Sequence, residues 1–423
     1  MRLLTLLLFS VSAFAADVRE LVYPPSTTPG ELKIESHFYL WLPPGVNEVR
    51  GIIVHQHGCG TGSESSGITG ANDLHWQALA AKQRCALMST SYRAGDKGNC
   101  RDWCDPRNGS DAKFHLALAD FAKETKHVEL TTVPWCLWGH SGGGFWSSIM
   151  QALHPERIVA IWFRSGTAFE TWNKGDIPKV ELPEAAFGIP AIANPGAKEN
   201  GDKRFNGAWT GSAAMHAAYR AKGMPIGFAP DPLTSHQVGD QRYAAIPFFD
   251  VCLTMRLPEK PGGVLKPVDQ TQAWLAEVGG TEAVPALQFK GDKARSVWLP
   301  NESFAKIWME YVRTGGVSDT TPPPAPTNVQ VKPAAEGVFI TWEATADMES
   351  GIGSFIIQRD GDDIVTLPEK PRASVGRKLF QGMSYSDTPT QPLAEMSYAD
   401  KAGKVQAHSR VITVTSVGLR SAD

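Results

Sequence analysis

Two features that would place this 423-residue chain in a membrane or on a nucleic acid are lacking from its sequence. Beyond the N-terminal segment, no apolar run reaches the roughly 18 to 20 residues that a transmembrane helix needs. Lysine plus arginine (41) and aspartate plus glutamate (44) nearly balance, and the formal net charge is -3. No basic stripe stands out along the chain, so we expect no nucleic-acid partner and no membrane span.

Linear motifs for metals and nucleotide cofactors are lacking too. The chain has neither a Cys-x-x-Cys pair nor a His-Glu-x-x-His motif, although it holds 6 cysteines and 11 histidines. Gly58 and Gly60 begin a glycine-rich loop, but Ser63 stands where a dinucleotide-binding loop requires its third glycine. We therefore expect no metal site and no cofactor.

The N-terminal segment has the pattern of a secretory signal peptide. An apolar run from Leu3 to Val11 follows the positive charge of Arg2, and Ala13-Phe14-Ala15 forms a small-x-small cleavage site. We predict that residues 1–15 are removed and that the protein is secreted or periplasmic. Disulfides are expected in such a compartment.

The cysteine pairing is left open by the sequence, because six cysteines allow fifteen pairings. Cys100 and Cys104 lie close together in a turn-rich segment, so a local bridge between them is one option. The other four lie in or beside apolar runs, where a free cysteine is also common.

Apolar strand-like segments alternate with amphipathic helical segments between residue 31 and about residue 258. The predicted strands are Ile52 to His57, Ala86 to Ser91, Trp135 to Trp138, Ile158 to Phe163 and Ile189 to Ala193. The predicted helices between them are Leu74 to Ala81, Phe114 to Phe121 and Phe145 to Leu153. This alternation predicts an α/β fold with a mostly parallel sheet and helices on both faces.

The remainder of the chain divides into three parts. Two stretches, Trp274 to Val278 and Phe304 to Val312, are predicted to be helical and to complete a catalytic domain of residues 16–317. A proline-rich linker follows at 318–327. Short alternating strands then predict a small all-β sandwich at 328–423. Its proline-rich start, its Thr-Trp pair at 341–342 and its final Val-Gly-Leu-Arg-Ser resemble a fibronectin type III domain.

The most informative segment is the run WCLWGHSGGG at residues 135–144. It leads a strand-like stretch directly into Gly-x-Ser-x-Gly, and a helical pattern follows from Phe145. In a nucleophile elbow the serine occupies a strained turn, so the residues two positions away must lack side chains. The start of the following helix then directs amide donors at a developing oxyanion. The pattern therefore predicts Ser141 as a nucleophile.

A second motif, HQHGCG at residues 55–60, stands at the end of an earlier predicted strand. In sheets that carry a nucleophile elbow, the loop after that strand supplies an oxyanion donor. The motif predicts the amides of Cys59 and Gly142 as the oxyanion hole. A tight turn without function is the alternative interpretation.

The general base and its acid follow the nucleophile in chain order. His236 lies in a polar loop, DPLTSHQVGD, between a strand-like segment and a predicted helix, and is predicted as the base. The acid is expected in the loop after the strand that ends at Ala193. Glu199, three residues beyond Gly196, is the first candidate and Asp202 the alternative. Either carboxylate would orient the imidazole and stabilise its charged form.

With these motifs, residues 31–258 resemble the α/β-hydrolase superfamily. The His57-Gly58-Cys59 run is most similar to secreted esterases of the polyhydroxybutyrate depolymerase and feruloyl esterase group. The resemblance implies ester cleavage, and some members carry a fibronectin-like module beside the catalytic domain. This chain departs from the group in two places: no partner for its substrate-binding signatures is apparent, and residues 259–317 match nothing in it.

The predicted function is that of a secreted serine esterase that cleaves carboxylic esters through an acyl-enzyme. An accessory module favours a polymeric target, such as an esterified polysaccharide or a polyester. Trp103, Trp172 and Trp209 are predicted to line the cleft and to stack on sugar or aromatic acyl groups. A secreted peptidase and a non-catalytic binding protein on the same scaffold are the alternatives. The oligomeric state is left open.

Overall fold

The computed structural model describes residues 18–65, 67–95, 98–369, 376–377, 379–380 and 395–422. The predicted signal peptide, residues 1–15, lies outside these ranges. Among the helices of the described ranges, none has the length and apolar character needed to cross a bilayer.

An eight-stranded mixed sheet forms the centre of the larger part of the molecule. Its strands are β1 (Arg19–Tyr23), β2 (Glu35–Trp41), β3 (Ile52–Gln56), β4 (Ala86–Arg93), β5 (Trp135–His140), β6 (Ile158–Arg164), β7 (Ala191–Asn194) and β8 (Ile226–Phe228). They are arranged in the order β1-β2-β4-β3-β5-β6-β7-β8. Strand β2 is antiparallel to both of its neighbours, whereas β3 to β8 pair in parallel. This topology confirms the predicted α/β-hydrolase fold.

Helices lie between the parallel strands, and the last two follow β8. They are α1 (Thr61–Ser65), α2 (Leu74–Gln83), α3 (Arg101–Cys104), α4 (Ser110–Thr125), α5 (Gly142–Leu153), α6 (Phe169–Asn173), α7 (Asn206–Ala221), α8 (Arg242–Arg256) and α9 (Glu302–Thr314). Short 3-10 helices are present at Gly67–Thr69, Pro106–Asn108, Val128–Thr131, Pro155–Arg157, Glu184–Gly188, Ala197–Glu199, Gln270–Gln272 and Lys293–Arg295. Strands β3, β5 and β6 are buried along their whole length, which explains why they are almost continuously apolar.

The predicted ends of the central strands differ from the observed ones by one or two residues. Strand β5 runs two residues beyond Trp138 to His140, so it ends directly before Ser141. Strand β7 begins at Ala191 rather than at Ile189. Pro190 lies between them, and a proline has no N–H to donate within a central strand.

The prediction of a helix from Trp274 to Val278 was wrong. The segment forms strand β9 (Trp274–Ala276), the centre of a three-stranded sheet with β10 (Ala283–Pro285) and β11 (Val297–Leu299). So short a segment cannot offset the cost of helix nucleation, and antiparallel pairing on both sides satisfies its backbone instead. This sheet and helix α9 share the hydrophobic core of the large sheet.

Six further strands follow in the C-terminal part. They are β12 (Thr327–Pro333), β13 (Val338–Glu343), β14 (Ile352–Arg359), β15 (Asp362–Leu367), β16 (Ser397–Asp400) and β17 (Ser409–Thr415). They form two antiparallel sheets, β12-β13-β16 and β15-β14-β17. Their core, around Trp342 and Phe355, also contains Leu74 and Ala78 of helix α2. The C-terminal strands therefore pack directly against the α/β part.

Candidate active site

Ser141 occupies a strained turn between strand β5 and helix α5. Its φ of 53° and ψ of -112° lie in a region that non-glycine residues seldom adopt, at a cost of about 1–3 kcal/mol. A Cβ on Gly139 would approach the carbonyl oxygen of Gly143 to 2.3 Å. A Cβ on Gly143 would approach the carbonyl oxygen of Gln56 to 2.2 Å. The elbow therefore requires glycine on both sides of the serine, as the motif predicted.

The side chain of His236 joins Ser141 to Glu199. Its Nε2 lies 2.9 Å from Ser141 Oγ, and its Nδ1 lies 2.6 Å from Glu199 Oε1. A carboxylate can only accept a hydrogen bond, so Nδ1 carries the proton that it donates to Glu199. Nε2 then accepts the hydrogen bond of the serine hydroxyl. Glu199 is fully buried, and its second oxygen accepts the N–H of Gly196 at 3.0 Å. The three side chains form one hydrogen-bonded chain in the order predicted for a nucleophile, a base and an acid.

Asp202, the alternative acid, makes its hydrogen bonds to the backbone. Its Oδ1 accepts the backbone N–H groups of Arg204 and Phe205, each at 2.7 Å. These hydrogen bonds, first that of Phe205 and then that of Arg204, hold the pKa of the Asp202 carboxyl below its ordinary value. Asp202 thus shapes the turn before helix α7, while Glu199 contacts the imidazole.

A buried arginine that the sequence analysis did not single out holds the His236 loop in place. Arg164, the last residue of β6, is fully buried. Its guanidinium donates to Thr234 Oγ1 at 2.6 Å and to the carbonyl oxygen of Gln237, and it donates to the carbonyl oxygen of Asn194 at 3.1 Å. A buried cation needs several acceptors, and these lie in the loop of His236 and at the end of β7, before the loop of Glu199. An arginine at the end of an apolar strand was the only signal in the sequence.

Cys59 and Gly142 lie side by side next to Ser141. A Cβ on Gly142 would meet Cys59 Sγ at 2.4 Å, and a Cβ on Gly58 would meet the Cβ of Ser141 at 3.1 Å. Gly142 begins helix α5, where the first N–H groups have no acceptor within the helix. The loop after β3 and the start of α5 are therefore in contact at the nucleophile, as the oxyanion-hole prediction requires.

A disulfide ties this loop to the segment before helix α3. It joins Cys59 to Cys100, with 5.6 Å between their Cα atoms. Cys104 is a buried free thiol, so the local bridge to Cys100 that the sequence left open is not formed. One of the two predicted oxyanion donors is thus covalently anchored.

Two buried histidines support the loops around Ser141 without reaching its hydroxyl. His57 Nε2 accepts the N–H of Tyr92 at 2.9 Å, and Nδ1 lies 2.5 Å from the carbonyl oxygen of Gly58. Burial lowers the pKa of His57 to about 4. His140 Nε2 donates to the carbonyl oxygen of His236 at 2.8 Å, and burial keeps the pKa of His140 well below its ordinary value. Both rings are therefore neutral structural elements.

An open cleft of about 310 Å³ adjoins Ser141 and His236. Phe145 and Phe205 supply apolar walls, and Arg101 and Arg204 are also among its lining residues. The guanidinium of Arg101 lies 4.5 Å from the ring centroid of Phe145, and that of Arg204 lies 4.8 Å from the ring centroid of Phe205. The cleft combines aromatic surface with positive charge.

The three tryptophans predicted to contact substrate do not line this cleft. Trp103 is fully buried and stacks on Tyr92, with ring centroids 5.2 Å apart. Trp172 is also buried. Trp209 is half-buried, with its ring edge against Phe228. Burial in the core corrects the prediction of substrate contacts for Trp103 and Trp172, and Trp209 lies outside the residues that line the cleft.

No protein-family model and no curated protein sequence matches the chain. Similar solved structures include the poly(3-hydroxybutyrate) depolymerase LpqC of Bordetella parapertussis, with 14% identity and a TM-score of 0.39 over 58% of this chain and 92% of that chain. Poly(aspartic acid) hydrolase-1 of Sphingomonas sp. KT-1 has 14% identity and a TM-score of 0.38 over 52% of this chain and 93% of that chain. The S-formylglutathione hydrolase of Agrobacterium tumefaciens has 15% identity and a TM-score of 0.34 over 57% of this chain and 95% of that chain. The likeness is one of fold.

Proposed function

We propose that this protein is a serine hydrolase that cleaves carboxylic esters through an acyl-enzyme intermediate. The observation that supports it is the chain of hydrogen bonds from Ser141 through His236 to Glu199, with 2.9 Å and 2.6 Å between the bonded atoms. A serine hydroxyl becomes a useful nucleophile when a base within hydrogen-bond reach removes its proton and a third group orients that base.

In the first step His236 Nε2 takes the proton of Ser141 while Oγ attacks the ester carbonyl. The negative charge on the former carbonyl oxygen is stabilised by the amides of Cys59 and Gly142. His236 then gives its proton to the leaving alcohol, and the serine ester remains. Glu199 stabilises the imidazolium during both transfers because its buried carboxylate accepts from Nδ1.

Water completes the cycle. His236 Nε2 takes a proton from a water molecule as its oxygen attacks the acyl carbon, and the same proton returns to Ser141 Oγ when the acid departs. The residues of this chain supply every proton transfer in the scheme.

The proposed substrate is a large or polymeric ester, such as an esterified polysaccharide or a polyester, outside the cytoplasm. An open cleft with aromatic walls supports this, because it can admit a chain that extends beyond the cleft. The signal-peptide pattern supports secretion or a periplasmic location. The C-terminal strands, proposed as a fibronectin type III-like sandwich at 328–423 after a linker at 318–327, would be an accessory module of the hydrolase domain at 16–317.

The test is hydrolysis of a p-nitrophenyl acyl series by the mature protein beside Ser141→Ala. We expect ester turnover in the wild type, loss of it in the variant, and labelling of the wild-type serine by a fluorophosphonate. Circular dichroism of the variant establishes that the fold is kept.

The alternatives give different results. Turnover of aminoacyl p-nitroanilides in preference to esters would indicate a peptidase of the same fold. Neither turnover nor labelling in a folded wild-type protein would overturn the proposal and favour a binding protein on a hydrolase scaffold.

A further inference from the structure

Helices α4 and α5 bring two histidines and one aspartate together at a distance from the nucleophile. Asp111 and His115 are one turn apart on α4, and His154 directly follows the last residue of α5. Asp111 Oδ1 lies 2.8 Å from His154 Nε2 and 3.5 Å from His115 Nε2. One potential ligand atom from each of the three residues lies within 4.8 Å of the other two.

We propose that Asp111, His115 and His154 form a binding site for Zn²⁺. Zinc in proteins takes imidazole nitrogens and carboxylate oxygens at about 2.0–2.2 Å, which places neighbouring tetrahedral ligands about 3.3 Å apart. The two distances to the carboxylate, 2.8 Å and 3.5 Å, bracket that separation. The two imidazole ligand atoms lie within 4.8 Å of each other, so rotation of the side chains can bring all three ligands to one ion.

The composition of the cluster selects the class of ion. Two imidazoles with one carboxylate suit zinc and similar transition metals, whereas calcium and magnesium prefer oxygen ligands throughout. About a quarter of each of the Asp111 and His154 side chains is exposed, and His115 is more exposed. Solvent can therefore supply the fourth ligand, and an ion can enter without unfolding.

The surroundings of the cluster orient both rings. The indole of Trp135 packs against His115 and His154, with ring centroids 5.5 Å and 5.6 Å away. A neighbouring cation, Arg157, makes its contacts outside the cluster: its guanidinium donates to the carbonyl oxygen of Val133 at 2.7 Å and lies over the Trp135 ring. The rings are thus held by packing, and the cation is engaged outside the cluster.

An ion at this position would join the first turn of α4 to the end of α5. Helix α5 has 12 residues, so its two ends are about 18 Å apart. Its other end carries Gly142, next to the nucleophile. The proposed ion therefore has a structural role, separate from the proposed ester hydrolysis. It would fix helix α5, whose first residue supplies one of the proposed oxyanion donors.

The test is zinc titration of the full chain, expressed without a histidine tag and freed of metal with EDTA that is then removed. Isothermal titration calorimetry is expected to show one Zn²⁺ per chain, with no comparable heat for Ca²⁺. Zinc should also raise the thermal unfolding midpoint of the wild type. Loss of one of three direct ligands in His154→Ala should weaken binding by more than the roughly 10–100-fold typical of an outer partner.

His115→Gln is the second variant, since its partly exposed side chain can be replaced without harm to the fold. The matched control is His127→Gln. His127 also contacts a carboxylate, Glu129 at 2.8 Å, but belongs to no three-residue cluster within the described residues. Zinc affinity that is equal in the wild type, His115→Gln and His127→Gln, or no zinc binding in the wild type, would overturn the proposal whatever the esterase assay gives.

Discussion

The phenyl ring of Phe205 lies flat against the imidazole of His236, with 4.1 Å between the ring centroids and 6° between the ring planes. His140 also adjoins this imidazole: its ring centroid is 5.1 Å away, and its Nε2 donates to the His236 carbonyl oxygen. The proposed base is thus oriented by packing as well as by Glu199. Phe205 also lines the cleft, so its side chain contacts both the proposed base and the space in which a substrate would bind.

Phe205→Ala is expected to lower kcat/KM for a short p-nitrophenyl ester about tenfold. An aromatic contact of this kind contributes about 0.5–1.5 kcal/mol, and 1.4 kcal/mol corresponds to a factor of ten in rate. Phe205→Tyr should keep most of the activity. The control is Phe187→Ala, which removes a partly buried phenylalanine outside the cleft and should affect stability alone. Equal losses in both alanine variants would contradict the role of Phe205.

Glu199→Gln is expected to reduce kcat by about 10³–10⁴, because a neutral amide neither fixes the tautomer of His236 nor stabilises its protonated form. Asp202→Asn should leave kcat nearly unchanged, since asparagine can accept the same two backbone N–H groups. Steady-state kinetics of the two variants, with circular dichroism to compare their folds, checks this. A large loss in Asp202→Asn and a small one in Glu199→Gln would reverse the assignment.

Reduction of the Cys59–Cys100 disulfide is expected to lower ester turnover. Removal of one oxyanion donor typically costs 10²–10³ in rate, and a loosened Cys59 loop should cost up to about 10². Dithiothreitol can reach the bond because Cys59 is exposed. The Cys100→Ser variant should show the same loss without reductant, and no further loss with it. Full activity in that variant would show that the loop holds its position unaided.

Acid is expected to destabilise the protein through His57. Its folded pKa of about 4 is below the ordinary value of 6.5, so between these pH values the unfolded chain holds a proton that the folded chain does not. The free energy of unfolding therefore falls as the pH drops from 6.5 to 4, by roughly 3 kcal/mol for this one group, and is unaffected above 6.5. Within the ring, Nε2 cannot be protonated while it accepts the N–H of Tyr92.

Urea unfolding at pH 7, 5.5 and 4.5 measures this effect. Other buried histidines, among them His55 and His75 with lowered pKa values of about 3 and 4, contribute in the same direction. The informative quantity is therefore the difference in pH slope between the wild type and His57→Gln. A slope that is identical in both proteins would rule out His57 as a source.

The order of the motifs along the chain was enough to predict the fold of the larger part and the positions of Ser141 and His236. Gly-x-Ser-x-Gly between an apolar strand and a helix is a local pattern, because the strain at the serine and the close approach of Gly139 to Gly143 involve neighbours in sequence. The alternation of apolar segments likewise predicts a parallel sheet through local periodicity.

The choice between Glu199 and Asp202 depended on tertiary structure. Both stand in one polar loop, and only the burial of Glu199 against His236, 37 residues further on, distinguishes them. The same holds for the tryptophans: composition cannot tell an indole that stacks on substrate from one that, like Trp103, completes the core.

The sequence by itself therefore determined the positions of the proposed nucleophile and base and the α/β character of the larger part, since these follow from patterns within a few residues. Only the tertiary structure decided what surrounds them: Phe205 on the imidazole, Arg164 beneath the loops, and the cluster of Asp111 with His154. The physical reason is that hydrogen bonds and packing contacts between distant segments exist only after the sheet has brought those segments together.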